Sequence, residues 1–188
     1  MGGLWEAGFK STKFHLKRVL GTTPLNFEEF STLLCEIEAC LNSRPLCPAS
    51  NNPEDITALS PSHFLNLGPS STIIEPNYTD LKLNRMSRWQ LIQRLLQEFW
   101  NRWNFEYLTR LQQRPKWWAH HPNFKVGTLV LLKDNRLAPQ QWHLARIIEV
   151  YPGDDDAVRV VKVRTASGEY KRNIEKICAL PFAEEEED

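Results

Sequence analysis

The chain has 188 residues, 41% of them apolar and seven of them Trp, enough for one ordinary domain or two small ones with a real core. Lys+Arg and Asp+Glu balance at 23 each, so net charge points to no partner, and the four cysteines include no C-x-x-C and no His/Cys spacing suited to zinc. No apolar run approaches the ~18–20 residues that span a bilayer, and the lysine-broken start makes a poor signal peptide, so an intracellular protein, cytoplasmic or nuclear, with reduced thiols and no membrane partner is expected.

The charge is unevenly spread. Residues 1–24 carry +3, 25–84 carry −6, 85–125 carry +6 and 126–182 carry +2, while the tail AEEEED carries −5. The opening stretch GGLWEAGFKSTKFHLKRVL predicts a helix over about 4–20. Trp5, Phe9, Leu16 and Val19 or Leu20 form its apolar stripe, and Gly21 after Lys17-Arg18 suits the position just past a helix end. Glu6, Lys10, Lys13 and Lys17 fall on one face. A solvated helix face is the plain reading of such a stripe, and contact with phosphates is the functional one.

A second helix follows, with Asn26 as its cap, Glu28 and Glu29 in its first turn, and Phe27, Phe30, Leu34, Ile37 and Leu41 as its stripe. Arg44-Pro45 ends it. Residues 46–84 are rich in Pro, Asn and Ser and predict an irregular connection with short turns, one at SPSHFLNLG. A long helix is expected over about 84–112, with Trp89, Ile92, Leu96, Phe99, Trp103, Tyr107 and Leu111 as its apolar positions. In the breaker-rich linker after it, Trp117-Trp118 beside Lys116 either stack on nucleotides or clamp onto the next domain.

Beyond Phe124 the texture turns to short β-branched runs separated by turn signals: KVGTLVLLKD, WHLARIIEVYPG, AVRVVKVRT, GEYKRNI and EKICAL. Five strands in so short a span suit a small SH3-like barrel. Val126, Val130, Ile147, Val150, Val161, Val163 and Ile177 are its candidate core. Alternation places Val161 and Val163 on one face, and Lys162 and Arg164 on the other. With Lys171, Arg172 and Arg146 these would form a basic face that meets phosphate without sequence preference. The acids of GDDDAV fall in a hairpin turn.

These motifs together resemble the C-terminal part of the integrase of Pao/BEL-type LTR retrotransposons. The resemblance is carried by GGLWEAGFKSTKFHLKR, LLCEIEACLNSRPL, LSPSHFLNLG, RWQLIQRLLQEFWNRW, KVGTLVLLKD, ARIIEV and VRVVKVRTASGEYKRNIEKICAL, nearly the whole chain outside the acidic tail. It implies the end of an RNase H-like core whose D, D, E metal triad places its glutamate in a G-G-x-x-E helix, so Glu6 is the matching position. It also implies that Lys10 and Lys13 match lysines that touch the element's DNA end. Two-metal phosphoryl transfer needs carboxylates from several elements. Both aspartates are expected on strands upstream of this helix, so Glu6 stands as an unpaired remnant, and no complete metal site and no catalysis by this chain alone are expected. Mg²⁺ is implied for the full-length family only.

The expected architecture is α+β: the last core helices over 1–45, an irregular connection over 46–84, a long helix and linker over 85–124, an SH3-like β-barrel over 125–182 and a disordered acidic tail over 183–188. The expected function is nucleic-acid binding in DNA integration by a non-catalytic integrase fragment. Its partners would be DNA, bound weakly and without sequence preference, and an integrase partner or a second copy, but no small-molecule substrate. The DNA-binding candidates are Lys10, Lys13, Lys17, Arg146, Lys162, Arg164, Lys171 and Arg172. The alternative is a protein-interaction module built on the small barrel.

Overall fold

The computed structural model describes residues 3–68, 73–82, 85–112, 123–134 and 137–180, with side chains from Glu6 onward. Trp117-Trp118, Lys116, the tail and the side chain of Trp5 lie outside the described residues. The fold is α+β, with helices and a five-stranded antiparallel sheet. Its contacts divide into two compact units, each built from separated stretches of chain: Met1–Ser43, Ser70–Tyr107 and Ala138–Gln141 in the first, and Arg44–Pro69, Leu108–Leu137 and Trp142–Asp188 in the second.

The first unit is helical: α1 (Gly3–Leu20), α2 (Phe27–Asn42) and α4 (Arg88–Leu111) as far as Tyr107. Gly21 ends α1 at φ 51°, where its N–H donates to the Lys17 carbonyl, the left-handed stop that glycine adopts without penalty. Asn26 and Glu29 cap α2 reciprocally: the Glu29 N–H donates to the Asn26 side chain at 2.8 Å, and the Asn26 N–H donates to the Glu29 carboxylate at 2.9 Å. Arg88 then closes the corner, donating to that carboxylate and to the Pro24 carbonyl. The Arg88 bond, and after it the Asn26 N–H, hold Glu29 down to a pKa of about 2.

Ile92, Leu95, Leu96, Phe99, Trp100 and Trp103 of α4 are buried, as are Leu33, Ile37 and Cys40 of α2 and Val19 of α1. The face expected for α2 is therefore corrected. Phe27 is 84% and Leu34 39% exposed. The buried line through Leu33, Ile37 and Cys40 keeps Ile37 of the expected stripe but is turned around the helix away from Phe27 and Leu34. In α1 the buried positions are His15 and Val19, which leaves Phe9 62% exposed where burial was expected. His15 sets its ring edge-on to Phe99 and shares a hydrogen bond with Glu106, which also accepts from Ser11 Oγ at 3.1 Å.

The second unit contains the two-residue strands β1 (Cys47–Pro48) and β2 (Ala58–Leu59), the short helix α3 (Pro61–Leu65), the last turn of α4, and the sheet. The sheet comprises β3 (Leu129–Leu132), β4 (Leu144–Pro152), β5 (Val158–Thr165), β6 (Gly168–Asn173) and β7 (Ile177–Ala179), in the order β6-β5-β4-β3-β7. A 3-10 turn, Ile174–Lys176, precedes β7. Register shifts mark a bulge in each of two strands, with Ile148 the extra residue of β4 and Arg159 that of β5, the usual device for curling a strand. Among the described residues the sheet is open, with β6 and β7 as edges.

One face of the sheet packs a core of Val130, Leu132, Ala145, Ile147, Val158, Val161, Val163 and Ile177, with Val150 partly buried against it. Val126 does not join them and is 60% exposed, because it lies in the turn before β3 rather than on the strand. The opposite face is buried too along β3 and β7. Leu129, Leu131 and Cys178 are at most 1% exposed, and the Cys178 thiol donates to the Leu108 carbonyl of α4 at 3.4 Å. The segment expected to be irregular thus holds two short strands and a helix.

Two outcomes are expected. Val161→Asp places an unpaired carboxylate in this core and should destabilise the sheet by more than about 3 kcal/mol in thermal melts of the full chain. Val160→Asp, on the 36% exposed neighbour, should melt close to wild type. Glu29 is ionised at a lower pH in the folded chain than in the unfolded one. Its contribution is therefore present above its ordinary pKa of 4.5 and lost as pH falls toward about 2. Denaturation of Glu29→Gln across that window should show a shallower pH dependence than wild type.

Candidate nucleic-acid interface

On α1 the residues of the predicted basic stripe are all on the surface. Glu6, Lys10, Lys13, Lys17 and Arg18 are exposed. None of these four cations has a carboxylate partner among the described residues. Two aromatic rings are interleaved with them at helical i, i+4 spacing. Lys13 Nζ lies 5.9 Å from the centre of the Phe9 ring, and the Arg18 guanidinium lies 3.5 Å from that of Phe14. Phe14 is 48% exposed. Sequence reasoning missed Arg18 and Phe14, although the Phe-x3-Lys and Phe-x3-Arg spacings were available as a signal.

The basic face expected on the sheet is not assembled as predicted. Antiparallel partners share a side of the sheet. Lys162 opposes Lys171 and Arg164 opposes Glu169, so these four lie on one side, together with Glu149 opposite Lys162. Lys162 pairs with Glu169 at 2.7 Å, and Arg164 with Glu54 at 2.7 Å and with Glu169 at 3.5 Å. Both cations have raised pKa values, chiefly through those carboxylate hydrogen bonds. Lys171 Nζ sits 4.4 Å from the centre of the Tyr151 ring. Lys162 and Arg164 are thus paired with Glu54 and Glu169, and Arg146, opposite Arg164, lies on this same side. Arg172 opposes Val161 and stands on the other side, 5.1 Å from the Tyr170 ring centre.

Arg146 is not on a surface at all. It is 3% exposed, and its guanidinium donates to the Asp55 carbonyl through Nε at 2.9 Å and through a second nitrogen, and to the Gly127 carbonyl at 2.7 Å. The acceptor is aimed by its own side chain. The Asp55 carboxylate accepts from Thr57 N–H and Oγ1 and from Ser50 Oγ, bonds that lower its pKa and fix the loop. Gly127 holds φ 90° and donates its N–H to the Ile147 carbonyl at 2.8 Å, a conformation that turns its carbonyl toward the arginine. Glu54, one residue before Asp55, supplies the partner of Arg164. Nothing in the spacing of the sequence announced it.

Among the described residues no three His, Cys, Asp or Glu side chains are placed to hold a metal ion, and the cysteines are unpaired. Asp154, Asp155 and Asp156 lie in the turn between β4 and β5, where Asp155 pairs with Arg159 at 2.5 Å. No described helix is long and apolar enough to cross a membrane.

Fold and surface together define an α+β chain in which a cationic, aromatic-studded helix and a charge-compensated sheet belong to different units. The family described as "Family of unknown function (DUF5641)" matches residues 87–180, half of the chain, and the protein belongs to that family. No curated protein and no solved structure matches it.

Arg146→Ala would leave the Asp55 and Gly127 carbonyls without their buried donor. It should destabilise the second unit by about 2–4 kcal/mol in chemical denaturation, with no change in the salt dependence of any DNA binding.

Proposed function

We propose that the protein is a nucleic-acid-binding, non-catalytic segment of a retrotransposon integrase, related to those of Pao/BEL elements, that holds duplex DNA weakly and without sequence preference through α1. The observation that carries this reading is the contrast in charge pairing. Lys10, Lys13, Lys17 and Arg18 stand in solvent with no carboxylate partners among the described residues, whereas Lys162 and Arg164 are already neutralised. Unpaired cations can neutralise phosphates and release counterions, while cations held by Glu54 and Glu169 must first break an ion pair. Exposed Phe9 and Phe14 add ring faces beside the charges.

The finer reading of the second unit as an SH3-like barrel rests on connectivity. A meander from β3 to β6 is followed by a 3-10 turn that brings β7 back beside β3. Bulges in β4 and β5 are the kind of irregularity with which a small barrel bends its strands. Glu6 is the remnant of the metal-binding position and is exposed on α1, so catalysis would require carboxylates from elsewhere.

The test is a duplex titration by fluorescence anisotropy with the full chain over a range of salt. With four cations engaged, log K should fall with log salt at a slope no steeper than about −3.6. The combined Lys10→Ala, Lys13→Ala and Lys17→Ala variant should lose up to about 2.7 units of that slope, equally for every sequence tested. Lys162→Ala with Arg164→Ala should leave it nearly unchanged. The reverse ranking, or no binding at low salt, would overturn the assignment. So would strand transfer in Mg²⁺ that Glu6→Gln abolishes.

A further inference from the structure

The first unit contains a cleft of about 410 Å³ between α2, α4 and the described residues near 73–75 and 138–140. That volume lies in the range of sites that take a small ligand or a peptide side chain. Its polar lining is one-sided. Glu36 and Glu75 both face it, and among the described residues the Glu36 carboxylate has no hydrogen bond and no ion pair. Burial, and secondarily the charge of Glu75, raise the Glu36 pKa. Among the described residues Glu75 accepts a hydrogen bond only from the Tyr78 hydroxyl, at 3.1 Å.

An independent observation points into the same space. Gln93 also lines the cleft and is 4% exposed, yet its amide has no hydrogen-bond partner among the described residues. The fully buried side-chain atoms left unpaired among the described residues are His15 Nδ1, Ser62 Oγ and Asn104 Oδ1, so the little exposure that Gln93 keeps includes its amide, where the cleft can bring a ligand or water to it. The neighbouring Gln97 shows the contrast, spending its amide on the Pro76 carbonyl and the Tyr78 N–H at 2.7 and 2.9 Å. Trp89, 45% exposed, forms an aromatic wall.

We infer that this cleft is a receptor for a lysine side chain of a peptide partner. The ammonium group would donate to Glu36, Glu75 and Gln93, and the alkyl stem would lie along Trp89. An ammonium carries three donors and no acceptor, and the cleft offers two carboxylates and an amide oxygen. Its charge would relieve both the desolvation of Glu36 and the repulsion from Glu75. An aromatic wall suits a cation and covers its apolar stem. The site is distinct from α1, none of whose residues lines the cleft.

The experiment is a ¹H–¹⁵N NMR titration of the full chain with a capped tripeptide, Ala-Lys-Ala, and with its norleucine counterpart. The lysine peptide should shift amides of α2 and α4 around Glu36 and Gln93 and the Trp89 indole. The norleucine peptide should bind about tenfold or more weakly, and Glu36→Gln should weaken lysine binding by a similar factor. Glu75→Gln serves the same purpose should Glu36→Gln not fold, and Gln93→Leu should weaken binding without altering charge. Equal binding of the two peptides would make the cleft an apolar groove and overturn the inference. So would shifts induced by Mg²⁺ alone with none from the peptide, or lysine binding unaffected by Glu36→Gln and Glu75→Gln.

Discussion

A guanidinium remains charged at any pH the protein meets, and Arg146 carries that charge inside the second unit without an ion pair among the described residues. Two backbone carbonyls take its place, and both must be oriented for the purpose. Gly127 turns one by adopting a left-handed conformation, and the turn organised by the Asp55 side chain presents the other. The sheet and the 44–69 segment are therefore conditional on each other. Without the loop the arginine would be a buried charge with too few acceptors, and without the arginine the loop would have no anchor under β4. The Glu54–Arg164 pair at the rim follows from the same placement, because fixing Asp55 also fixes its neighbour.

That placement explains why the basic face legible in the alternation of VRVVKVRT does not survive as a basic surface. The alternation itself holds: Val161 and Val163 are buried, and Lys162 and Arg164 point away from them. Period-2 reasoning can sort the residues of one strand, but it cannot say which strand residue will lie opposite. Register places Glu169 beside Lys162 and Arg164 and sends Arg172 to the other side. The Arg146–Asp55 hydrogen bond joins residues 91 apart and could not be read from local pattern.

The helices were legible to a similar depth. Gly21, Asn26 and Glu29 act through bonds spanning three or four residues, so the stop of α1 and the cap of α2 were readable in the sequence. The buried side of α2 was not, because Phe30-Ser-Thr-Leu-Leu-Cys offers two apolar lines one residue apart, and only the packing of α4 distinguishes them. Phe9 marks the converse error. A large apolar side chain was assigned to the core, yet it lies outside beside Lys13. For the candidate sites, the α1 cations were visible as a stripe, whereas the meeting of Glu36, Glu75 and Gln93 depends on three stretches of chain converging.

The interleaved build of the two units also sets an order of events during synthesis. Asp55 leaves the ribosome 91 residues before the arginine that holds its carbonyl. At 5–20 residues per second, that is roughly 5–18 s of waiting. Throughout this interval the nascent 44–69 stretch has no sheet to rest on, and its own local bonds, such as that of the Leu46 N–H to the Leu59 carbonyl, are what it can form. A co-translational chaperone, or a pause that lets the preceding helices condense first, would act on this stretch. Silent codon changes that alter the pace between Asp55 and Arg146 are therefore positioned to change the yield of folded protein without altering a single side chain.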